Sequence, residues 1–439
     1  MAICFRCTIY HIRFLCVLCV SVVNLKELKW DVVVIGGGAS GLMAAGRAAK
    51  LGAKVLLLEK MGRVGIKLAL TGKGRCNLTN SGELRDFIES YRHNGKFLHN
   101  VFSRFFNDDL IAFFKARGLS TIEERGRRIF PASQRSQDVV RVLRDFISSH
   151  GVRVLIHTPG RDILVDRGQA LGVQTDSGIL EARRVILATG GASYSQTGSS
   201  GDGYKMAEKL GHTIQPIHPS LVPLEIEEPF VQDLQGLGLK NVKVTLLSGG
   251  RKVGEEFGEM LFTHFGVSGP IVLTLSGDVV DEIGRRKVEL SIDFKPALSR
   301  EQVEARLIRE LQIHRKKQIS SILPHLLPQR LIPIFIERAE IPANLKGASV
   351  RSAERNRLGH LLKDWRLTVR GPRPLDEAIV TAGGVSVKEI HPPTMESKLI
   401  KGLHFCGEVI DVDGRTGGYN LQAAFSTGWV AGEAAAKTS

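Results

Sequence analysis

Residues 31–60 read DVVVIGGGASGLMAAGRAAKLGAKVLLLEK: an apolar run, a glycine cluster, an alanine-rich run and a second apolar run. The pattern predicts a buried strand over residues 31–35, a helix that ends near Leu51 and a second strand over residues 54–58. A strand, a glycine turn, a helix and a strand form the opening unit of a dinucleotide-binding domain. The sequence therefore predicts an α/β protein with a Rossmann-like domain.

The glycines of this unit have the spacing of the dinucleotide fingerprint, Gly36-x-Gly38-x-x-Gly41. The first permits a tight turn, the second lets the backbone approach a pyrophosphate, and the third lets the helix pack on the strand. The N-terminus of the helix then faces the phosphate charge. Glu59 stands 23 positions after Gly36, where a carboxylate accepts hydrogen bonds from ribose hydroxyls. The predicted cofactor contacts are Gly36, Gly38, Ala39, Ser40, Gly41, Glu59 and Lys60.

Later segments indicate FAD rather than NAD. Residues 184–191, RVILATGG, predict a buried strand that ends in Ala-Thr-Gly, a pattern that flavoproteins use beside the adenosine half of FAD. Residues 402–408, GLHFCGE, predict a third strand, which an NAD dehydrogenase would not need. Two glycines then lead into a helix that runs to about Ala436, and its positive end would face the flavin N1/C2=O edge. The contacts predicted here are Ala188, Thr189, Gly190, Gly407, Glu408, Gly417, Gly418, Asn420 and Leu421.

A second glycine-punctuated loop, TGKGRCNLTN, occupies residues 71–80. It is not a P-loop, because that motif needs a glycine where Lys67 stands and a serine or threonine where Gly74 stands. The loop comes soon after Glu59, so we expect it to run beside the flavin, with Gly72 in contact with the cofactor. Nearby cations would stabilise the anionic reduced flavin, and amides would hydrogen-bond its polar edge. These candidates are Lys67, Lys73, Arg75, Asn77 and Asn80.

Cys76 is the candidate proton donor of this loop. An unperturbed thiol has a pKa of about 8.5 and keeps its proton at neutral pH. When hydride from a flavin reaches one carbon of a ring double bond, a nearby acid must protonate the other. We therefore name Cys76, Lys73 and Arg75 as candidate catalytic residues; the alternative for Cys76 is a small packing residue beside the cofactor.

Four blocks of sequence resemble those of a known family: TGKGRCNLTN, LFTHFGVSGP, TAGGV and GEVIDVDGRTGGYNLQAAFSTG. They are similar to those of the bacterial aminoacetone-oxidase-like flavoproteins, also called the BaiN/RdsA family of FAD-dependent oxidoreductases. The resemblance runs from about Trp30 to the end of the chain. It implies FAD, and a discontinuous FAD domain interrupted by a β-rich domain with a helical insertion. For the branch of ribosomal-RNA dihydrouridine synthases it implies a uridine in RNA as substrate; other members are linked to small amino-ketones or steroid-like molecules.

The order of apolar runs indicates the same architecture. Short β-branched runs at residues 242–247, 271–275 and 288–292, separated by glycines, predict an antiparallel sheet or small barrel. Apolar residues at helical spacing follow from about residue 300. The predicted domains are residues 30–215 with 379–439 for FAD binding, 216–299 with 367–378 for the β-rich domain, and 300–366 for a basic helical insertion.

Charge is concentrated in one part of the chain. Residues 300–373 contain 16 Lys and Arg against 7 Asp and Glu, so 16 − 7 = +9 of the formal net charge of +15 lies there. Such a surface could follow an RNA phosphate backbone, and the alternative is a solvated basic face. A base would stack on few aromatic residues, of which Trp365 is one. The candidate cations are those of the segment HRKK, His314–Lys317, together with Arg351, Arg355, Arg357, Lys363, Arg366 and Arg370.

Composition places the chain among globular proteins, with 43% hydrophobic and 24% charged residues. Its six cysteines form no evident disulfide framework, which suits a reducing compartment, so we expect a cytoplasmic protein. No run approaches the roughly 18 apolar residues of a membrane helix. We expect no membrane association, and the oligomeric state stays open.

Residues 1–29 are expected to be an extension outside the fold, either a frayed segment or an over-long gene start. Cys4-x-x-Cys7 and Cys16-x-x-Cys19 resemble zinc knuckles, but only eight residues separate the two pairs. Zinc sites of this type usually have a loop of about 15–20 residues. We therefore assign no metal ligands.

Three functions are compatible with these patterns. The leading hypothesis is an FAD-dependent reductase of uridine in ribosomal RNA that uses NAD(P)H. The second is a small-molecule amine or ketone oxidase that uses oxygen, and the third is a flavin-bearing RNA-binding protein without turnover. Because no second complete GxGxxG motif provides a nicotinamide domain, NAD(P)H would bind transiently at the flavin face.

Overall fold

The computed structural model describes residues 30–437. The expectations for residues 1–29, including the two cysteine pairs, lie outside the described residues. Within the described residues the chain forms a layered α/β domain and a closed β-barrel, each with its own apolar core.

The elements of the first part of the α/β domain are β1 (Trp30–Ile35), α1 (Ala39–Lys50), β2 (Val55–Leu58), α2 (Ile66–Gly74), β3 (Thr79–Asn80), α3 (Leu84–Ser90), α4 (His99–Phe102), α5 (Asn107–Lys115), β4 (Thr121–Glu124), β5 (Arg128–Pro131), α6 (Ser136–Ser149), β6 (Arg153–Leu155), β7 (Gly160–Asp166), β8 (Gln169–Thr175), β9 (Gly178–Leu187), α7 (Asp202–Lys209) and β10 (Ile214–Ser220). The inserted segment then contributes β11 (Leu224–Ile226), β12 (Gly238–Ser248), β13 (Arg251–Phe262), β14 (Gly266–Ser268), α8 (Pro270–Glu282), β15 (Val288–Asp293), α9 (Arg300–Ile313), α10 (Ile319–Ile322), α11 (Ile332–Arg338), α12 (Ser352–Lys363) and β16 (Trp365–Pro372). The chain returns through β17 (Val380–Val385), β18 (Leu403–Phe405) and α13 (Tyr419–Ala436).

The central sheet aligns the ends of five parallel strands, β6, β2, β1, β9 and β18. Its order is β6-β2-β1-β9-β8-β7, and β18 also pairs with β9. Ile35 of β1 is in register with Leu58 of β2 and with Leu187 of β9, and Leu187 is in register with Phe405 of β18. The residues that follow these strands therefore meet at one edge of the sheet, where doubly wound folds bind their ligands.

The β-rich segment closes into the predicted barrel, in the order β11-β14-β13-β12-β15-β16. The prediction of a strand over residues 271–275 was wrong, because these residues belong to α8, which packs against β13. Pro270 occupies the first turn of this helix, where its missing N–H costs nothing. The helix is buried on several faces, so its apolar run lacks the amphipathic spacing that would have indicated a helix.

The helical insertion, α9 to α12, lies between β15 and β16 and shares one apolar core with the barrel. Trp365, considered above as a base-stacking residue, is fully buried in that core. Its ring stacks on Phe335 at 5.2 Å between centroids and meets the edge of Phe294 at 5.7 Å. Trp365 therefore stabilises the core and cannot contact a base.

The fold class is confirmed: a Rossmann-type domain formed by two separated parts of the chain contains an inserted barrel with helices. The chain passes from the α/β domain into the barrel after β10 and returns at β17, and we call these two points the domain crossings. The antiparallel pairing of β10 with β17 joins them. The exact domain boundaries stay predictions. Among the described helices, none combines the length and apolarity needed to cross a membrane.

We predict that Trp365→Ala lowers the free energy of unfolding by about 3–5 kcal/mol, because the loss of a buried indole leaves a cavity. Trp365→Phe should cost less, since an aromatic ring remains and the indole Nε1–H, which has no hydrogen-bond partner among the described residues, is removed. Urea unfolding followed by far-UV circular dichroism measures both. A Trp365→Ala protein as stable as the wild type would contradict the buried position of the ring.

Candidate functional site

The turn after β1 is built for a pyrophosphate. Gly36 has φ of +107°, and a Cβ added there would lie 2.4 Å from the carbonyl oxygen of Ala188. A Cβ on Gly41 would lie 1.9 Å from the carbonyl oxygen of Gly36. Gly38 is the N-cap of α1, and a Cβ there would meet no atom within 4 Å. This open space, in front of the helix N-terminus, suits an anionic group.

Glu59 lies directly after β2 and is nearly buried. Its Oε2 accepts a hydrogen bond from the N–H of Gly37 at 2.9 Å, and its Oε1 accepts one from the N–H of Met61 at 2.8 Å. Burial raises the pKa of this carboxyl, while these backbone donors act in the opposite direction. The lone pairs that remain can accept ribose hydroxyls. Next to it, Lys60 forms an ion pair with Asp202 at 2.7 Å.

A cavity of about 340 Å³ extends along the edge of the sheet where the strands end. The phosphate turn, Glu59 and Lys60 line one part of it. Most of the other predicted cofactor contacts line it too: Ala39, Ser40, Lys67, Gly72, Asn77, Ala188, Thr189, Gly190, Gly407, Glu408, Gly417, Gly418, Asn420 and Leu421. Gly41 is the exception, and packs against the turn instead. Residues from four separate parts of the sequence thus form one continuous wall.

Lys67 and Glu408 form an ion pair in this wall, with 2.7 Å between Nζ and Oε2. Lys67 also donates to Ser193 Oγ at 2.8 Å, and Glu408 Oε1 accepts from the N–H of Thr381 at 2.7 Å. Each side chain is about four-fifths buried, so the pair is little screened by solvent. The network ties the start of β17, where the chain returns from the barrel, to the wall of the cavity.

The N-terminus of α13 faces the cavity, and its contact with a flavin stays a prediction. Gly418, its N-cap, has φ of +101°, and a Cβ there would lie 2.4 Å from the backbone of Thr79. Asn420 stabilises the loop at residues 414–418. Its Oδ1 accepts a hydrogen bond from the N–H of Gly414 at 2.8 Å, and its Nδ2 donates one to the Gly414 carbonyl at 2.7 Å. The positive end of an 18-residue helix therefore points at whatever occupies this part of the cavity.

The three candidate catalytic residues of the loop at 71–80 do not line the cavity. Cys76 is fully buried, and burial raises the pKa of its thiol to about 12. Arg75 donates to Glu124 at 2.8 Å and stacks over Phe130. Lys73 is exposed, in a left-handed conformation with φ of 57°. The kink at residues 71–73 turns this part of the loop away, so the structure does not support Cys76 as a proton donor.

Other residues of this loop do reach the cavity. Thr71, Gly72 and Asn77 line it, whereas Asn80 donates to the carbonyls of Gly126 and Gly417. Asn80 therefore joins two loops instead of contacting a cofactor. Its amide helps to hold the glycine pair before α13 in place.

Sequence reasoning missed several lining residues. Arg415 and Thr416 stand in the DGRTGG segment, next to the predicted glycines, so the motif itself contained the signal. Arg415 is exposed, and its guanidinium lies 3.4 Å from Glu256 of β13. Apolar residues at the domain crossings had no sequence signal, because only the fold brings them to the cavity. These are Leu221, Ile379 and Val380; Ile410 and Val412 also line the cavity but belong to the GEVIDVDGRTGG block.

The cavity fits FAD. The space at Gly38 accepts a pyrophosphate, and Glu59 is placed for a ribose. Asn77 Oδ1 is a buried atom with no hydrogen-bond partner among the described residues, although its residue lines the cavity. A buried acceptor of this kind is costly unless a ligand or water satisfies it. The apolar crossings and the end of α13 would enclose the flavin ring.

Comparison with known proteins identifies relatives over nearly the whole chain. The profile described as HI0933-like protein Rossmann domain matches residues 30–434. The 3-dehydro-bile acid delta(4,6)-reductase of Clostridium scindens is 35% identical over 410 residues, which cover 92% of this chain and 98% of that protein. The ribosomal RNA dihydrouridine synthase of Haemophilus influenzae is 31% identical, with 90% and 96% covered. That of Escherichia coli is 30% identical, with 91% and 96% covered.

Solved structures share the fold. A 3-ketosteroid-delta4-(5alpha)-dehydrogenase from Rhodococcus jostii RHA1 superposes with a TM-score of 0.53 at 16% identity, covering 95% of this chain and 99% of that one. A 3-ketosteroid delta1-dehydrogenase from Sterolibacterium denitrificans gives a TM-score of 0.54 at 13% identity, covering 93% and 99%. At these identities the likeness concerns the fold alone.

We predict that Glu59→Gln weakens FAD binding by about 1–3 kcal/mol, since a charged acceptor of ribose hydrogen bonds is lost. Flavin content after purification and FAD titration of the apoprotein measure the change. Glu83→Gln is the control, because Glu83 is an exposed carboxylate outside the cavity. Equal FAD affinity for Glu59→Gln and wild type would contradict the ribose assignment.

Proposed function

The chain belongs to the HI0933-like Rossmann family and is an FAD-dependent oxidoreductase, and from that premise we propose that it reduces a carbon–carbon double bond conjugated to a carbonyl group. The observation that supports this most directly is the shared chemistry of two relatives that match over 90% or more of this chain. A delta(4,6) double-bond system in a 3-dehydro bile acid is conjugated to the 3-oxo group. The double bond reduced when uridine becomes dihydrouridine is conjugated to a ring carbonyl as well.

The residues of the cavity suit this reaction. Bound FAD, once reduced, would supply a hydride to one carbon of the double bond, and solvent would supply the proton that the other carbon takes up. Negative charge then develops on the conjugated carbonyl oxygen, where preorganised donors and cations lower the barrier. Arg415 lines the cavity and is exposed, so its guanidinium is placed to donate hydrogen bonds to that oxygen. The domain crossings at Leu221 and Val380 would keep water from the reacting atoms.

As the substrate we propose a uridine in ribosomal RNA, with NAD(P)H as a transient reductant. The support is a group of exposed cations on the helical insertion, here called the basic cluster: Arg315, Lys316, Lys317, Lys346 and Arg351. Backbone hydrogen bonds at 3.0 Å from Gly347 to the Lys317 carbonyl and from Ala348 to the Arg315 carbonyl bring its two segments together. No side chain of the cluster forms an ion pair with the described residues, so all five charges can meet phosphates.

Other cations of residues 300–373 are less available than the sequence suggested. Lys363 pairs with Asp293 at 2.6 Å and is largely buried. Arg355 lies near Glu304, and Arg366 near Asp364. Arg357 donates to the carbonyl of Ala339. These residues hold the insertion together, whereas Arg300, Arg309 and Arg370 are exposed and form no ion pair with the described residues. The proposed RNA surface is centred on the basic cluster.

A second candidate substrate is a small apolar enone of the steroid type. The 35% identity to a bile acid reductase over 98% of that protein supports it. The apolar residues at the domain crossings would also suit such a ring system. In that case the basic cluster would have no role in turnover.

We predict that Arg415→Ala slows reoxidation of the reduced flavin by substrate about 10²–10³-fold, the usual cost of removing one donor to a developing oxyanion. Anaerobic stopped-flow absorbance, with a uridine-containing ribosomal RNA transcript or a 3-oxo-Δ4 steroid as acceptor, measures the rate. FAD binding should be retained. Arg85→Ala, at an exposed position outside the cavity, is the control. A wild-type rate in Arg415→Ala would remove Arg415 from the proposed reaction.

We predict that the triple change Arg315→Glu, Lys316→Glu and Lys317→Glu weakens RNA binding and reduces its salt dependence, while the flavin spectrum is unchanged. Each contacted phosphate contributes a slope of about 0.7–0.9 to the fall of log K with log salt. Filter binding over a salt series measures this slope.

The control for this variant reverses the charge of Lys50, Lys96 and Arg167, which are exposed cations of the α/β domain. Both triple variants change the net charge equally, so only a specific surface distinguishes them. RNA binding equal in the two variants would exclude the basic cluster as the RNA surface. Turnover of the steroid by a wild type that does not bind RNA would favour the second candidate.

A further inference from the structure

We propose that Glu310, His314 and His325, on the helical insertion, bind a divalent transition-metal ion such as Zn²⁺. One possible ligand atom from each side chain, a carboxylate oxygen or an imidazole nitrogen, lies within 4.8 Å of the other two. The set of two imidazoles and one carboxylate is typical of zinc and related ions rather than of calcium or magnesium. The proposed site is separate from the FAD cavity and does not depend on the proposed function.

Two structural elements bring these ligands together. Glu310 and His314 are four residues apart, in the last turn and at the C-cap of α9, so their side chains project from the same face. His325 ends a short 3₁₀ turn over Leu323–His325. Arg306 donates to the carbonyl of His325 at 3.3 Å, which fixes this turn beside the helix.

The imidazoles of His314 and His325 are stacked, with 4.8 Å between ring centroids and 11° between ring planes. Within residues 30–437, the ring nitrogens of the two histidines form no hydrogen bond or ion pair with any other residue. The Glu310 carboxylate forms none either. Apart from the stacking of the two rings on each other, no polar contact among the described residues accounts for the convergence of the three groups. A shared metal ion would satisfy all three.

Side-chain rotations would complete the coordination, and at least one imidazole has to leave the stack, because the nitrogen lone pairs lie in the ring planes. With bonds of about 2.0–2.1 Å, ligand atoms around a tetrahedral zinc ion lie roughly 3.3 Å apart. The separations here, up to 4.8 Å, would have to shorten by about 1.5 Å. His325 is exposed and the other two are half-buried, so the rotations meet little resistance from packing. Water would fill the fourth position.

A bound ion would tether both ends of the segment between His314 and His325, which carries three cations of the basic cluster. Arg306 on α9 and Arg315 to Lys317 on the loop act against a cation here. The charges of Arg315 to Lys317 are exposed to solvent, where screening weakens repulsion over about 8–10 Å. Arg306 is half-buried, and its guanidinium donates to the carbonyl of His325. Short coordinate bonds at about 2 Å outweigh that repulsion.

The test is a calorimetric titration of the untagged, FAD-loaded full chain with zinc chloride, after a chelator has been applied and removed. We expect one saturable zinc ion that His314→Ala and His325→Ala each weaken at least about tenfold, since even the loss of groups that support a metal ligand costs about 10–100-fold. His99→Ala, which removes an exposed histidine of α4, should bind zinc as wild type does. Zinc should raise the melting temperature of wild type more than that of His325→Ala.

The two histidine variants alter different segments, so misfolding of one does not mimic loss of the site, and their flavin spectra report a folded chain. Zinc held by the four N-terminal cysteines would persist in both variants and would not count as this site. The proposal is overturned if wild type binds no zinc, or if both variants bind zinc with the number and affinity of wild type.

Discussion

The close contact between α1 and α13 is the constraint on which the α/β domain depends. Gly428 and Gly432 of α13 face Ser40 and Ala44 of α1, and a Cβ on either glycine would lie 2.3 Å from a backbone oxygen of α1. Only glycine allows the helices to approach this closely. The two ends of the described chain are joined in this way, and the phosphate turn before α1 comes beside the glycine loop before α13.

A polar contact continues this helix pair at its far end. Arg47 of α1 forms an ion pair with Glu433 at 2.7 Å and lies over the ring of Trp429, 4.2 Å from its centroid. The side chains of Arg47 and Glu433 are each more than four-fifths buried, which makes the pair dependent on both partners. The barrel can therefore be inserted between the two halves of the domain without separating them. The cavity is a product of this closure, because its two walls belong to different halves.

Local patterns in the sequence were sufficient to locate the residues of the candidate site that directly follow strands. Gly36, Glu59 and Glu408 line the cavity, because each occupies a fixed place after a buried strand that the sequence reveals. Their contacts with FAD stay predictions. Cys76 was not, because the sequence of its loop does not reveal the kink at residues 71–73 that buries the thiol. The loop was expected beside the flavin, which stays a prediction; the side chains of the loop that reach the cavity are those of Thr71 and Asn77.

A count of charged residues in the sequence cannot show which cations are already paired, because their partners lie far away in the sequence. The sequence suggested that Lys363 is a free cation, but in the structure it forms an ion pair with Asp293, which stands 70 residues earlier in the chain. Trp365 counted as an exposed aromatic until the helical insertion covered it. The site at Glu310, His314 and His325 was missed for the complementary reason, since His325 is brought to α9 only by the turn after α10.

One relative is named for a ribosomal RNA substrate and another for a bile acid, although the bond reduced is conjugated to a carbonyl in both. A flavin site that recognises this bond cannot by itself distinguish the two substrates, so selection has to occur where substrates enter. In this chain the outer face of β13 carries the half-exposed Phe257, with the guanidinium of Arg125 5.9 Å from its ring centroid. The next residue back, Glu256, reaches Arg415 in the cavity wall. Strand β13 of the inserted barrel therefore connects an exposed aromatic side chain to the residue proposed to polarise the substrate, so the barrel as well as the Rossmann-like domain contributes to the proposed site.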